Sequence, residues 1–124
     1  MTKQRFSVII MNDRTSVRPE KMIENIKNQH DLYLLGVTST TDQVRELATG
    51  EVVDIIIFAG YQKNERNYNV VDAITTDNHK PIAVMWAIPD EYIDIVCREN
   101  GIPFQFDRQR SVSEFLEFLH IIAR

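Results

Sequence analysis

The residues of this 124-residue chain whose types could support chemistry gather at a few points. Asn12 and Asp13 follow the apolar run FSVIIM, and Asp107 follows PFQF. Carboxylate oxygens at adjacent strand ends are what a hard cation such as magnesium or calcium accepts, and Asn12 could assist them. The other reading of Asp13 and Asp107 is a pair of solvated acids that cap their own loops. The segment YQKNERNYN sets Tyr61 and Tyr68 around Lys63 and Arg66, which suits a partner surface or a small anion, although a plain solvated loop is the favoured reading. His30, His79 and His120 share no ligand spacing and read as surface or capping side chains. Cys97 lies in a helical apolar pattern and reads as a buried small hydrophobe, and one cysteine excludes an internal disulfide. The four glycines, Gly36, Gly50, Gly60 and Gly101, write neither a dinucleotide fingerprint nor a phosphate-binding loop. No metal centre and no cofactor is therefore expected.

Composition narrows the function classes further. A formal charge of −4 argues against a phosphate-backbone grip, which needs clustered Lys and Arg, so direct nucleic-acid binding by this chain is not expected. Charges interrupt every apolar run before it reaches the roughly 20 residues of a membrane helix, and MTKQRF lacks the apolar centre of a signal peptide. A cytoplasmic location away from membranes is the expectation. The length suits one domain over residues 1–124.

The elements that must position these residues alternate along the chain. FSVIIM (6–11), LYLLGV (32–37), VVDIIIFAG (52–60), IAVMW (82–86) and the short run from Pro103 to Phe106 read as strands, the last with a proline suited to an edge or strand start. Between them, Pro19 suits the first turn of a helix carrying Met22, Ile23 and Ile26 on one face. Ser39 to Thr41 offer caps for a helix with Val44, Leu47 and Ala48. Val70, Val71 and Ile74 mark a third helix after the polar loop, and Pro89 and Asp90 open a fourth with Ile93, Val96 and Cys97 inward. Ser111 or Ser113 caps a fifth whose stripe of Phe115, Leu116, Phe118, Leu119 and Ile122 is wider than one packing face needs. Parallel neighbours require crossovers, so this alternation predicts an α/β fold: a flavodoxin-like, doubly wound five-stranded parallel sheet in the order 2-1-3-4-5, with helices on both faces. Function in such folds concentrates at the carboxyl ends of the strands.

Over essentially its whole length the chain resembles the receiver domains of bacterial response regulators, the CheY-like family. In that family strand one ends in an acid pair that holds magnesium, and strand three in the aspartate that accepts phosphate. Strand four ends in Thr or Ser, and strand five in Lys-Pro. VIIMND looks like the first strand with Asn12 and Asp13 at the acid pair, and VVDIIIFAG puts Ala59 at the phosphoacceptor position. PIAVMWA puts Trp86 at the hydroxyl position, its bulk expected between the sheet edge and the fourth helix, and IPFQFDR puts Asp107 and Arg108 at the Lys-Pro pair. Alanine has no nucleophilic oxygen for an acyl phosphate, and Asp107 would repel a phosphate near Asp13.

The resemblance thus implies an atypical, or pseudo-receiver, module: non-catalytic, independent of phosphorylation and acting through protein contacts. It also implies a homodimer through the face of the fourth helix, fifth strand and fifth helix. That face would offer Tyr92, Phe104, Phe115, Phe118, Leu119 and Ile122, edged by Arg108 and Arg110. A protein partner or a fused effector is implied too, the module standing as the N-terminal part of a longer regulator joined to a DNA-binding domain or a ParA-like ATPase. The alternative is a small-molecule or metal-ion sensor, or a minor enzyme, holding a cationic ligand in the strand-end crevice with Asp13, Tyr61, Trp86 and Asp107.

Overall fold

The computed structural model describes residues 5–13 and 18–123. Strands β1 (Phe6–Met11), β2 (Leu32–Thr38), β3 (Ile55–Ala59), β4 (Ile82–Ala87) and β5 (Phe104–Asp107) form one parallel sheet in the order 2-1-3-4-5. Helices α1 (Glu20–Lys27), α2 (Thr41–Ala48), α3 (Val70–Ile74), α4 (Glu91–Glu99) and α5 (Val112–Ala123) cover both faces. The predicted topology is the observed one.

Alternation along the central strands sets the two cores. Ile9, Met11, Ile56, Phe58, Met85 and Ala87 point to the side of α2, α3 and α4, while Val8, Ile10, Ile55, Ile57, Ala59 and Val84 meet α1 and α5. β1 and β3 are apolar on both faces because both faces are covered.

Local signals end the elements where the sequence placed them, with a few shifts. Thr40 caps α2 by accepting from the Gln43 N–H at 3.2 Å, and Asp90 caps α4 by accepting from Ile93 at 2.7 Å. Ser111, not Ser113, caps α5: its hydroxyl accepts from the Glu114 N–H at 3.1 Å, and the Glu114 carboxylate returns to the Ser111 hydroxyl at 3.2 Å. Pro19 stands at the cap position of α1, one residue before the helix. The segment expected as a plain loop after β3 coils instead into a 3₁₀ turn, Glu65–Asn69, that leads straight into the five-residue α3.

Two polar clamps lie away from the strand carboxyl ends. At the amino edge, buried Asp54 accepts from the Ser7 N–H at 2.8 Å and lies 3.3 Å from His79 Nε2, itself 2.9 Å from the Val53 carbonyl oxygen. Asp54→Ala takes the carboxylate acceptor from the buried Ser7 N–H, and a loss of about 1–3 kcal/mol in urea denaturation is expected. The second clamp joins α5 to the start of β2, where His120 Nε2 meets Asp31 Oδ1 at 2.8 Å. Hydrogen bonding to His120 holds the Asp31 carboxyl below its ordinary 3.8. A carboxyl depressed in the fold stabilises above its unfolded pKa and loses that contribution as pH falls through the folded value. His120→Ala is therefore expected to raise the Asp31 midpoint in a carboxyl NMR titration.

Candidate functional site

At the carboxyl edge, β1 runs on into Asn12, whose N–H donates to the Thr38 carbonyl at 2.7 Å. The next residue, Asp13, turns its buried carboxylate to the α2 side, where Oδ2 accepts from the Lys63 N–H at 2.7 Å. Here a cleft of about 590 Å³ opens between the start of α2 and the 3₁₀ turn, lined by Asp13, Ser39, Thr40, Gln43, Lys63, Asn64 and Asn67. Beneath it lies a buried amide network. Gln62 Nε2 donates to the Gly60 carbonyl at 3.1 Å and the Met11 carbonyl at 3.4 Å, and Gln62 Oε1 accepts from Asn67 Nδ2 at 3.1 Å. Asn67 also reaches the Ser39 carbonyl at 3.1 Å, and the Tyr68 hydroxyl accepts the Gln62 N–H at 2.7 Å. The loop after β3 is thus stitched to the ends of β1 and β2 by side chains.

β3 ends differently. Ala59 is 1% exposed and packs in the apolar cluster shared with Val84, Trp86 and Phe106. Gly60 then turns away at φ 93°, a left-handed conformation that glycine adopts without strain, and its N–H donates to the Trp86 carbonyl at 2.8 Å. Opposite Ala59 in the β3–β4 ladder stands Trp86, half-buried. The expectation that its indole sits towards α4 is corrected: strand alternation sends Ala87 to the α4 side and Trp86 to the side of α1 and α5. There it lines a second cleft, of about 450 Å³.

Asp107 closes the edge. Its Oδ1 accepts from the Gln109 N–H at 2.9 Å, and its carbonyl accepts from the Arg110 N–H at 3.1 Å, so the carboxylate caps its own turn. β1 and β5 are separated by β3 and β4, so Asp13 and Asp107 lie three strand spacings apart, about 14 Å. Backbones that far apart keep two short acidic side chains from meeting on one cation, which favours the reading of Asp13 and Asp107 as separate acids over a shared hard-cation site. Among the described residues, no three His, Cys, Asp or Glu side chains are placed to hold a metal ion. No described helix is long and apolar enough to cross a membrane.

Two solved structures match this arrangement from end to end. A DNA-binding response regulator of the LuxR family from Staphylococcus aureus superposes with a TM-score of 0.71 at 16% identity, covering 96% of this chain and 99% of that one. The signal receiver domain of an HD-domain-containing protein from Pseudomonas fluorescens Pf-5 gives 0.70 at 13% identity, with 97% and 88% covered. The fold is that of a receiver domain. A cobalamin-binding protein from Desulfitobacterium hafniense DCB-2 also matches, with a TM-score of 0.66 at 10% identity, over 95% of this chain and 58% of its own. No family model and no curated protein matches the sequence.

Within this receiver fold, several expected site residues fall elsewhere than the sequence suggested. Tyr61 and Tyr68 do not share a surface: Tyr68 is buried, its ring centroid 5.2 Å from that of Phe58, and burial pushes its phenol up to about 12. Tyr61 is half-buried and meets Tyr92 edge-on at 5.2 Å, and hydrogen bonding between them pushes the Tyr92 phenol up to about 12. Lys63 and Arg66 are exposed. Asp13, Tyr61, Trp86 and Asp107 therefore do not line one crevice, because Trp86 lies across the sheet from Asp13 and Tyr61.

The face of α4, β5 and α5 is also smaller than expected. Phe115 and Leu119 are fully buried against the sheet and cannot meet a partner. Phe104 and Phe118, half-buried, form an edge-to-face pair with centroids 5.9 Å apart, and Ile122 packs partly beside them. Tyr92, at 49% exposure, with Ile88 and Ile95, makes the outward apolar part. Arg108 and Arg110 are exposed, the latter held by Glu114 and lying 5.2 Å above the Phe106 ring. Cys97 is buried and its thiol is pushed up to about 11 by desolvation, so it is a packing residue. The sequence reading missed Gln62 and Asn67, whose polar side chains carried no signal that they were buried. It also missed Arg18, Ile88 and Ile95, which belong to no local motif.

Proposed function

We propose that this chain is a cytoplasmic pseudo-receiver, a regulatory module that carries out no phosphoryl transfer and acts through protein contacts. The observation that carries this reading is Ala59. Its methyl group ends β3 inside an apolar cluster, where the resemblance puts the phosphoacceptor. A phosphoryl group needs a nucleophilic oxygen and cationic or hydroxyl partners around it. Here the neighbouring strand ends supply an indole at Trp86 and a self-capped carboxylate at Asp107. The module then works in one constitutive conformation, as a homodimer or against a protein partner or fused effector domain. Exposed Tyr92, Ile88 and Ile95 supply the apolar contact surface, with half-buried Phe104 and Phe118 and exposed Arg108 and Arg110 on the β5 and α5 part of the same proposed face.

Incubation with acetyl phosphate and magnesium, followed by intact-mass analysis, tests the first part. No phosphoryl adduct is expected, and an adduct mapped to an aspartate contradicts the reading. Sedimentation equilibrium tests the second. The wild type is expected to dimerise and Tyr92→Glu to stay monomeric, whereas a wild type that remains monomeric throughout the accessible concentration range contradicts the homodimer.

A further inference from the structure

The cleft under Trp86 opens on the α1 and α5 side of the sheet and shares Arg108 and Arg110 with the rim of the proposed contact surface, and its charge runs against that of the molecule. The chain carries −4 overall. Yet the described residues lining this cleft include four cations, Arg18, Lys21, Arg108 and Arg110, and one acid, Glu20. Arg18 is engaged by Glu20 at 2.6 Å, and Arg110 by Glu114 at the rim. Arg108 has no carboxylate partner among the described residues, although Asp107 precedes it and is turned into its own cap. The Arg108 backbone is fixed, since its N–H donates to the Ala87 carbonyl at 3.1 Å, one residue beyond Trp86. The β4–β5 ladder, which ends at Ala87 and Asp107, and the Arg108 N–H on the Ala87 carbonyl thus bring to one cleft an aromatic plate and a guanidinium with no carboxylate partner among the described residues. Met22 and Val112 add an apolar wall, and no described side chain caps the first-turn N–H groups of α1, which begins at the same cleft.

We propose that this cleft binds a nucleoside monophosphate, the base lying against Trp86 and the phosphate against Arg108. A flat π-face and a guanidinium lining one cleft suit a ligand that is planar at one end and anionic at the other, and the guanidinium fork matches phosphate oxygens in pairs. The volume of about 450 Å³ lies in the range of small-ligand sites. A bare cation is disfavoured by the four positive side chains, which reverses the ligand charge suggested by sequence alone.

Trp86 is the only tryptophan in the chain, so its fluorescence reports on this cleft alone. Titration with AMP, excited at the red edge where adenine does not absorb, is expected to quench it saturably with a Kd of about 1 mM or tighter. Adenosine and inorganic phosphate, added separately, are expected to bind at least about tenfold more weakly, since each keeps only one of the two contacts. Arg108→Glu, at an exposed position, should abolish the response, while Arg98→Glu, which changes the net charge equally on exposed α4, should preserve it. The proposal is overturned if AMP gives no saturable change. It is equally overturned if adenosine matches AMP, or if Arg98→Glu weakens binding as much as Arg108→Glu.

Discussion

Ala59→Asp is expected to lose about 3–5 kcal/mol of stability and still take up no phosphate. The substitution restores, on paper, the side chain a receiver needs. In this chain the new carboxylate enters a position 1% exposed, facing Trp86 and Phe106. Among the described residues no cation is buried beside an ionised group there: Arg108 and Arg110 are exposed on the turn beyond β5. The carboxyl would be protonated or expose itself by shifting the end of β3, and either route costs stability. Urea denaturation measures the loss, and intact mass after acetyl phosphate treatment measures the chemistry. A variant as stable as wild type that becomes phosphorylated would show that the strand-end site still has its pocket.

Gln62→Ala is expected to cost about 2–4 kcal/mol, concentrated in the segment after β3. Gln62 is fully buried, and its amide satisfies the carbonyls of Met11 and Gly60 while accepting from Asn67. Truncation takes the Gln62 donor from the Met11 and Gly60 carbonyls and the Gln62 acceptor from Asn67. Asn67 keeps the Ser39 carbonyl but loses its Gln62 acceptor, so the 3₁₀ turn is tied to the end of β2 by that one bond and no longer to Gln62. Hydrogen exchange is expected to accelerate at the amides of Gln62, Lys63 and Asn67 while those of β1 and β4 stay protected. Uniform acceleration across the sheet, or none, would contradict the view that this network locks the loop locally.

The fold was legible because its signals were local and mutually consistent. Strands apolar on both faces, a proline or capping residue before four of the five helices, and short connections leave few topologies open. Pro103, read as the mark of an edge or a strand start, stands one residue before β5, which is also the edge strand. Strand ends were legible too, since Asp13, Ala59, Trp86 and Asp107 stand where the strand pattern puts them. Which way each side chain faces was harder to read. Trp86 and Ala87 differ by one residue, and that single step decides whether the indole meets α4 or α1 and α5. The polar run after β3 gave no hint that Gln62, Asn67 and Tyr68 would be buried, because burial there comes from hydrogen bonds to distant carbonyls. In α5 the wide apolar stripe divides between inward Phe115 and Leu119 and half-exposed Phe118 and Ile122, a split that only packing against β5 decides. The cleft of Trp86 and Arg108 joins residues from β4, α1 and the β5–α5 turn, and no spacing along the chain announces it.

The central claim is that the strand-end site carries no phosphoryl chemistry, and amide NMR of the isotopically labelled protein tests it most directly. Spectra are recorded alone and then with magnesium and beryllofluoride, which together mimic an acyl phosphate on an aspartate. No saturable shift is expected at Asp13, Ala59, Gly60, Trp86 or Asp107. Saturable shifts converging on those residues would show a working ion and phosphate site, and would contradict the reading of this receiver fold as a constitutive contact module.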